Sequence, residues 1–309
     1  MLLLVPVVVA ASPRLAMDEK LITPKILYQT WKTKSIPANF VSNQKKWFDV
    51  INYIDPGLEN DEVVPTPRDS KFPRDPKPPG TPSPGWRYIL LDDDDLRELV
   101  ATHFPKHLKA YDGFSKNIER VDFARLVMMY LGGVYADLDT YPVKSIDQWV
   151  NQGKIILGCE PIEHAKEMYD GREKVLCNAF MISPPSQTLW AKMMDYVVKN
   201  YEKNYKPVYN TGPMSMTLFM ESRPDLFTAD AGVVITDPCV FFPQMGNGKF
   251  SPRCIDSTGA LKPQTYVVHE WLNSWTVPWY RDPEWLNRRY WFWGLMTVFT
   301  ILWLRAYNH

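Results

Sequence analysis

The amino-acid sequence predicts an α/β fold, a single domain in which strands and helices form one sheet sandwich. Three observations carry this expectation. Short apolar runs with strand character alternate with segments of helical periodicity along the chain. The 309 residues, 45% hydrophobic and 23% charged, suffice for one large buried core. No internal repeat divides them.

In order, residues 22–28 (ITPKILY) read as a buried strand, and residues 40–50 place apolar side chains at helical spacing. Residues 61–85 hold eight prolines and little apolar matter, so they are expected to form a disordered insertion within the domain. Residues 86–91 (WRYILL) form a second strand. The acids Asp92 to Asp95 precede a helical pattern and suit the positive end of its dipole as caps, the competing reading being a metal site. Residues 117–131 form a strong helix stopped by Gly132-Gly133, followed by a strand over 134–139. Further strands are expected at 155–159, 179–183, 233–236 and 266–269, with a helix at 189–201. This places the domain at residues 21–280.

Lys plus Arg and Asp plus Glu both number 35, so nothing points to nucleic acid as a partner. Of the four cysteines, Cys239 and Cys254 are the nearest pair, and both a disulfide and buried thiols fit them; no CxxC motif is present. No Asn-x-Ser/Thr sequon occurs. Residues 1–20 open with an apolar leader lacking a basic start. Residues 286–309 contain an apolar run (YWFWGLMTVFTILWL) flanked by arginines, which favours membrane association although it is short for a span.

The chemistry centres on Asp137-Leu138-Asp139. On a strand, residues two apart share a side, so Val134, Ala136 and Leu138 are expected to face the core and Tyr135, Asp137 and Asp139 to face outward. Two neighbouring carboxylates repel unless a hard cation such as Mn²⁺ or Mg²⁺ lies between them, where it can also hold a diphosphate. Asp122 and Arg125, three apart on the preceding helix, share one face, and the glycine turn folds them back toward the acids. A surface ion pair is the alternative for these two.

Asp122-x-x-Arg125 followed by Leu131-Gly132-Gly133-Val134-Tyr135-x-Asp137-x-Asp139 resembles the sugar-binding region of glycosyltransferase family 32. Thr23-Pro24-Lys25-Ile26-Leu27-Tyr28-Gln29-Thr30-Trp31 is similar to the family's opening strand, with Tyr28 where a His is usual. His269-Glu270-x-x-x-Ser274-Trp275 is similar to its closing motif. The resemblance implies a GT-A-type fold, a single domain on one mixed β-sheet with helices on both faces, and a retaining, metal-dependent glycosyltransferase, with GDP-mannose as the favoured donor. The implied acceptor is a glycan or an inositol-phosphoceramide glycolipid, and the implied setting is the Golgi or endoplasmic reticulum membrane, with the catalytic domain in the lumen.

It further implies that Asp137, Asp139 and Arg125 are catalytic and that Asp139, Asp137 and His269 hold the metal. Gln29, Thr30, Trp31, Asp122, Arg125, Tyr135, Asp137 and Trp275 would line the donor site. Asn178 and Gly212, in Asn178-Ala179-Phe180 and Asn210-Thr211-Gly212-Pro213, would join them, plain turns being the alternative for both segments. Rival readings are a UDP-galactose or UDP-N-acetylglucosamine transferase and a catalytically idle carbohydrate-binding homologue, which Tyr28 and the proline-rich insertion favour. A glycoside hydrolase is disfavoured because its acids sit apart on different strands.

Overall fold

The structure is a computed structural model that describes residues 21–52 and 85–272. The chain divides into a unit ending at Trp271 and a second beginning at Leu272, and all the described residues except Leu272 belong to the first. The leader, the C-terminal apolar run, all of the proline-rich insertion but Gly85, and Ser274 and Trp275 lie outside the described residues. Among the described residues no helix is long and apolar enough to cross a membrane.

The chain runs β1 (Ile26–Thr30), α1 (Ala38–Ile51), β2 (Arg87–Leu91), α2 (Asp93–His103), α3 (Leu108–Gly113), α4 (Asn117–Leu131), β3 (Gly133–Ala136) and β4 (Thr140–Pro142). It continues through α5 (Asp147–Val150), β5 (Ile155–Cys159), α6 (Ile162–Met168), β6 (Leu176–Ser183), α7 (Thr188–Asn200), α8 (Pro207–Asn210) and α9 (Pro213–Ser222). It closes with β7 (Val233–Thr236), α10 (Pro238–Phe241) and β8 (Val267–His269). Six strands form one sheet in the order β2-β1-β3-β6-β5-β7, and β4 pairs with β8 in a separate ribbon. The sheet is mixed, as expected: β1 is parallel to β2 and β3, while β6 runs antiparallel to β3 and β5.

Strand alternation assigns each face its own core. Leu27, Leu90, Val134, Ala136, Ile156 and Phe180 pack with Trp47 and Phe48 of α1 and Phe241 of α10. Tyr28, Ile89, Tyr135, Leu157 and Met181 point the other way, against Leu99 of α2, Phe123 and Val127 of α4, and Trp190 of α7. Because both faces are covered, Tyr135 is fully buried under helices and is not turned outward as the strand pattern suggested.

Two expectations about the acids are resolved here. Asp92 to Asp95 cap α2: Asp92 accepts from the Asp95 N–H and Asp95 accepts from the Asp92 N–H, each at 3.0 Å, and Lys34 is ion-paired with both. The strand expected over 134–139 ends at Ala136, and residues 137–139 form a turn instead. The first strand likewise lies later than expected and includes Gln29 and Thr30. Cys239 and Cys254 form a disulfide, whereas Cys159 and Cys177 are buried free thiols.

The reversal from α4 into β3 depends on its two glycines. Gly132 (φ 87°) and Gly133 (φ 133°) occupy backbone regions that L side chains rarely adopt. A Cβ on Gly133 would stand 2.8 Å from the Ile26 carbonyl oxygen of the neighbouring strand. Gly133→Ala is expected to destabilise the protein by about 1–3 kcal/mol, measured by urea denaturation. An unchanged midpoint would show that the reversal does not need glycine.

Candidate metal centre

The turn that carries the acids is closed from several sides. The Asp137 N–H donates to the Ala179 carbonyl (2.8 Å), and the Asp137 carbonyl accepts from the Thr140 N–H (3.0 Å) and hydroxyl (2.6 Å). Gln29, fully buried, donates its amide to the same carbonyl at 3.4 Å, and Tyr88 hydrogen-bonds to the other end of Gln29. Trp47 of α1 donates its indole N–H to the Thr140 carbonyl at 3.0 Å. On the far side, Thr140 registers with His269 in the β4–β8 ribbon, and the Glu270 N–H donates to the Asp139 carbonyl at 2.8 Å.

This wiring brings Asp137, Asp139 and His269 together, with one ligand atom of each within 4.8 Å of the others. His269 Nε2 lies 3.2 Å from Asp139 Oδ1. Arg125, reaching up from α4, stands beside them. One of its terminal nitrogens is 2.9 Å from Asp137 Oδ1, and the other is 3.2 Å from Asp122 Oδ1. Its guanidinium lies 4.8 Å from the centre of the Tyr135 ring, and the Tyr135 hydroxyl donates to Asp137. Asp122 is braced in turn: Asn178 donates to Oδ1 at 2.9 Å and the Thr211 hydroxyl to Oδ2 at 3.0 Å. The i,i+3 pair is therefore buried and tied to the acid turn; it is not a surface pair.

Exposure separates two layers. The side chains of Asp122 and Arg125 keep 5% and 7% of their surface, whereas Asp137 and Asp139 keep 21% and 14%. The acids open outward over a braced guanidinium. Burial pushes the Asp122 carboxyl up to about 6 despite Arg125, and raises Asp137 above the usual carboxylate range. Burial opposes charge on Arg125, but Asp137, Tyr135 and Asp122 outweigh it and keep the guanidinium protonated. Burial likewise opposes charge on His269, and Asp139 overcomes it to raise the imidazole.

The residues present fit a hard divalent cation. Three carboxylates against one guanidinium leave two negative charges when His269 is neutral, as a ligating imidazole must be. Carboxylate oxygens with one imidazole nitrogen suit Mn²⁺, and oxygens alone suit Mg²⁺. Arg125 Nε is buried with no partner among the described residues.

Of the donor-site residues expected from sequence, Asp122, Arg125, Tyr135, Asp137 and Asn178 converge directly. Gly212 closes against them, since a Cβ there would lie 3.3 Å from Asp122 Oδ2. Thr30 meets the Tyr135 hydroxyl at 3.2 Å. Gln29 serves the turn's backbone. Trp31 is half-buried beside Phe40, with ring centres 5.2 Å apart. Sequence reasoning missed Thr211 as a brace, though its motif was visible, and missed Trp271, which packs on His269 with ring centres 4.2 Å apart.

Residues 81–156 match a family model described as the glycosyltransferase sugar-binding region containing DXD motif. The chain is 26% identical over 210 residues to inositol phosphoceramide mannosyltransferase 3 of Schizosaccharomyces pombe, covering 67% of this chain and 48% of the relative. It is 27% identical over 148 residues to an initiation-specific alpha-1,6-mannosyltransferase of Candida albicans, covering 45% and 30%. The chain thus spans about half the length, or less, of these curated relatives. Among solved structures, the PaToxG glycosyltransferase aligns with a TM-score of 0.41 and 15% identity over 67% of this chain and 72% of that one. The chain therefore carries a glycosyltransferase sugar-binding region of the DXD type, with Asp137-Leu138-Asp139 as its motif, related to those of fungal mannosyltransferases.

Proposed function

We propose that this protein is a retaining, metal-assisted glycosyltransferase of GT-A type that moves mannose from GDP-mannose to a hydroxyl of a glycan or glycolipid. The observation that carries the reading is the convergence of Asp137, Asp139 and His269 within 4.8 Å, beside an Arg125 that is 2.9 Å from Asp137. The names of the two fungal relatives support mannose as the sugar, and the lipid named for one of them supports a glycolipid acceptor.

Asp137, Asp139 and neutral His269 would hold Mn²⁺ or Mg²⁺, which when bound supplies positive charge to the leaving diphosphate. Arg125 adds its own charge from below, pre-oriented by Asp122 and stacked on Tyr135, so it does not reorganise as negative charge develops. The bond from the anomeric carbon to the diphosphate oxygen breaks while a bond to the acceptor oxygen forms on the same face. The acceptor proton passes to the leaving diphosphate oxygen. Asp122 is a poor nucleophile, because both its oxygens already accept hydrogen bonds from Asn178 and Thr211.

We place this chemistry in the lumen of the Golgi or endoplasmic reticulum, at a membrane. The Cys239–Cys254 disulfide supports an oxidising compartment.

Asp137→Ala and Asp139→Ala are each expected to cut mannosyl transfer from GDP-mannose by at least about 100-fold while leaving the circular dichroism spectrum unchanged. A fully active double variant would refute the reading. Arg125→Lys keeps the charge but loses the planar fork that spans Asp122 and Asp137. It is expected to lower kcat by about 100-fold at saturating donor, and an unchanged kcat would remove Arg125 from the chemistry.

A further inference from the structure

A histidine that binds a metal ordinarily donates its second ring N–H to a carboxylate or carbonyl, and this bond fixes the ring's orientation. Among the described residues, His269 finds no such partner. With Nε2 turned to Asp139, its Nδ1 is buried and has no hydrogen-bond partner among the described residues. The ring is held by aromatic contact instead. Phe242 meets it nearly edge-on, with centres 6.1 Å apart and planes at 75°, and Trp271 lies against it at 4.2 Å and 40°.

Trp271 is itself fixed in an unusual way. Its φ of 57° lies in the left-handed region, where a bulky side chain is strained and persists only when its surroundings over-determine it. The surroundings do so. The indole N–H donates to the Gln244 carbonyl at 2.6 Å, and the His164 ring packs against the indole at 4.3 Å. His164 is set by the Gly246 N–H, which donates to Nδ1 at 3.3 Å, and by buried Glu160, 3.6 Å from Nε2. Gly246 has no room for a side chain, because a Cβ would stand 2.8 Å from the imidazole. Tyr169 donates its hydroxyl to the other Glu160 oxygen at 3.2 Å. This stack of His164, Trp271 and His269 joins α6 to the end of β8.

We propose that Trp271 is a positioning residue for the metal ligand His269, an aromatic clamp backed by His164 that stands in for the missing hydrogen bond at Nδ1. The proposal rests on the reading of His269 as a ligand. The strained backbone at Trp271 is the cost of presenting the indole to the imidazole.

The test titrates Mn²⁺ into the full chain, following free Mn²⁺ by electron paramagnetic resonance, for wild type, Asp139→Ala, Trp271→Ala, Trp271→Phe and His164→Ala, with Tm measured alongside. Wild type is expected to bind and Asp139→Ala to lose binding. Trp271→Ala is expected to weaken affinity about tenfold or more, with Trp271→Phe recovering most of the loss because it keeps a ring against His269. A purely structural residue would lower Tm without moving Mn²⁺ affinity. If Trp271→Ala fails to fold, His164→Ala carries the same expectation in a smaller measure. Binding by Asp139→Ala equal to wild type would overturn the metal centre itself. Loss in Asp139→Ala with wild-type affinity in both folded Trp271 variants and in His164→Ala would overturn only the clamp.

Discussion

The structure turns on a repulsion. Asp137 and Asp139 are held with His269 so that one ligand atom of each lies within 4.8 Å of the others. Two unit charges no farther apart than that cost roughly 3 kcal/mol or more at an effective dielectric of about 20, and Asp122 adds a third acid behind them. Arg125 offsets part of this from the buried side, where it touches both Asp122 and Asp137. The remainder faces outward, and a divalent cation is the charge that would balance it.

The fold keeps the carboxylates from relaxing apart. The backbone of residues 137–140 is pinned by β6 through Ala179, by β1 through Gln29, by α1 through Trp47 and by the β4–β8 ribbon through Glu270. Each contact uses a backbone carbonyl or N–H of the turn, so the side chains are left for function. The sheet below is packed on both faces, which makes this a rigid platform. His269 arrives from more than a hundred residues downstream, by way of an extra ribbon outside the main sheet.

Much of this was legible in the chain. The helix before Gly132-Gly133, the i,i+3 relation of Asp122 and Arg125, and the capping role of the acids at Asp92 follow from local rules and appear as expected. The strand limit at Ala136 did not follow, because Leu138 continues the alternating pattern and is itself buried. The acids therefore share a side through a turn, not through strand periodicity. The short helices α6 and α9 were also overlooked, although Pro213 at a first helical position is a start signal. The stack through His164 was beyond reach, since nothing local links residue 164 to residue 269. Spacing left the pairing of Cys239 with Cys254 open, and the structure settles it with Cα atoms 4.9 Å apart.

We propose that nucleotide-sugar binding here runs through a cation held by Asp137, Asp139 and His269. Isothermal titration calorimetry of the full chain with GDP-mannose, with and without Mn²⁺, tests it most directly. The account predicts measurable affinity that appears only with Mn²⁺ and is lost on chelation. Equal affinity with and without the metal, or no binding of GDP-mannose or any UDP-sugar in its presence, would contradict it.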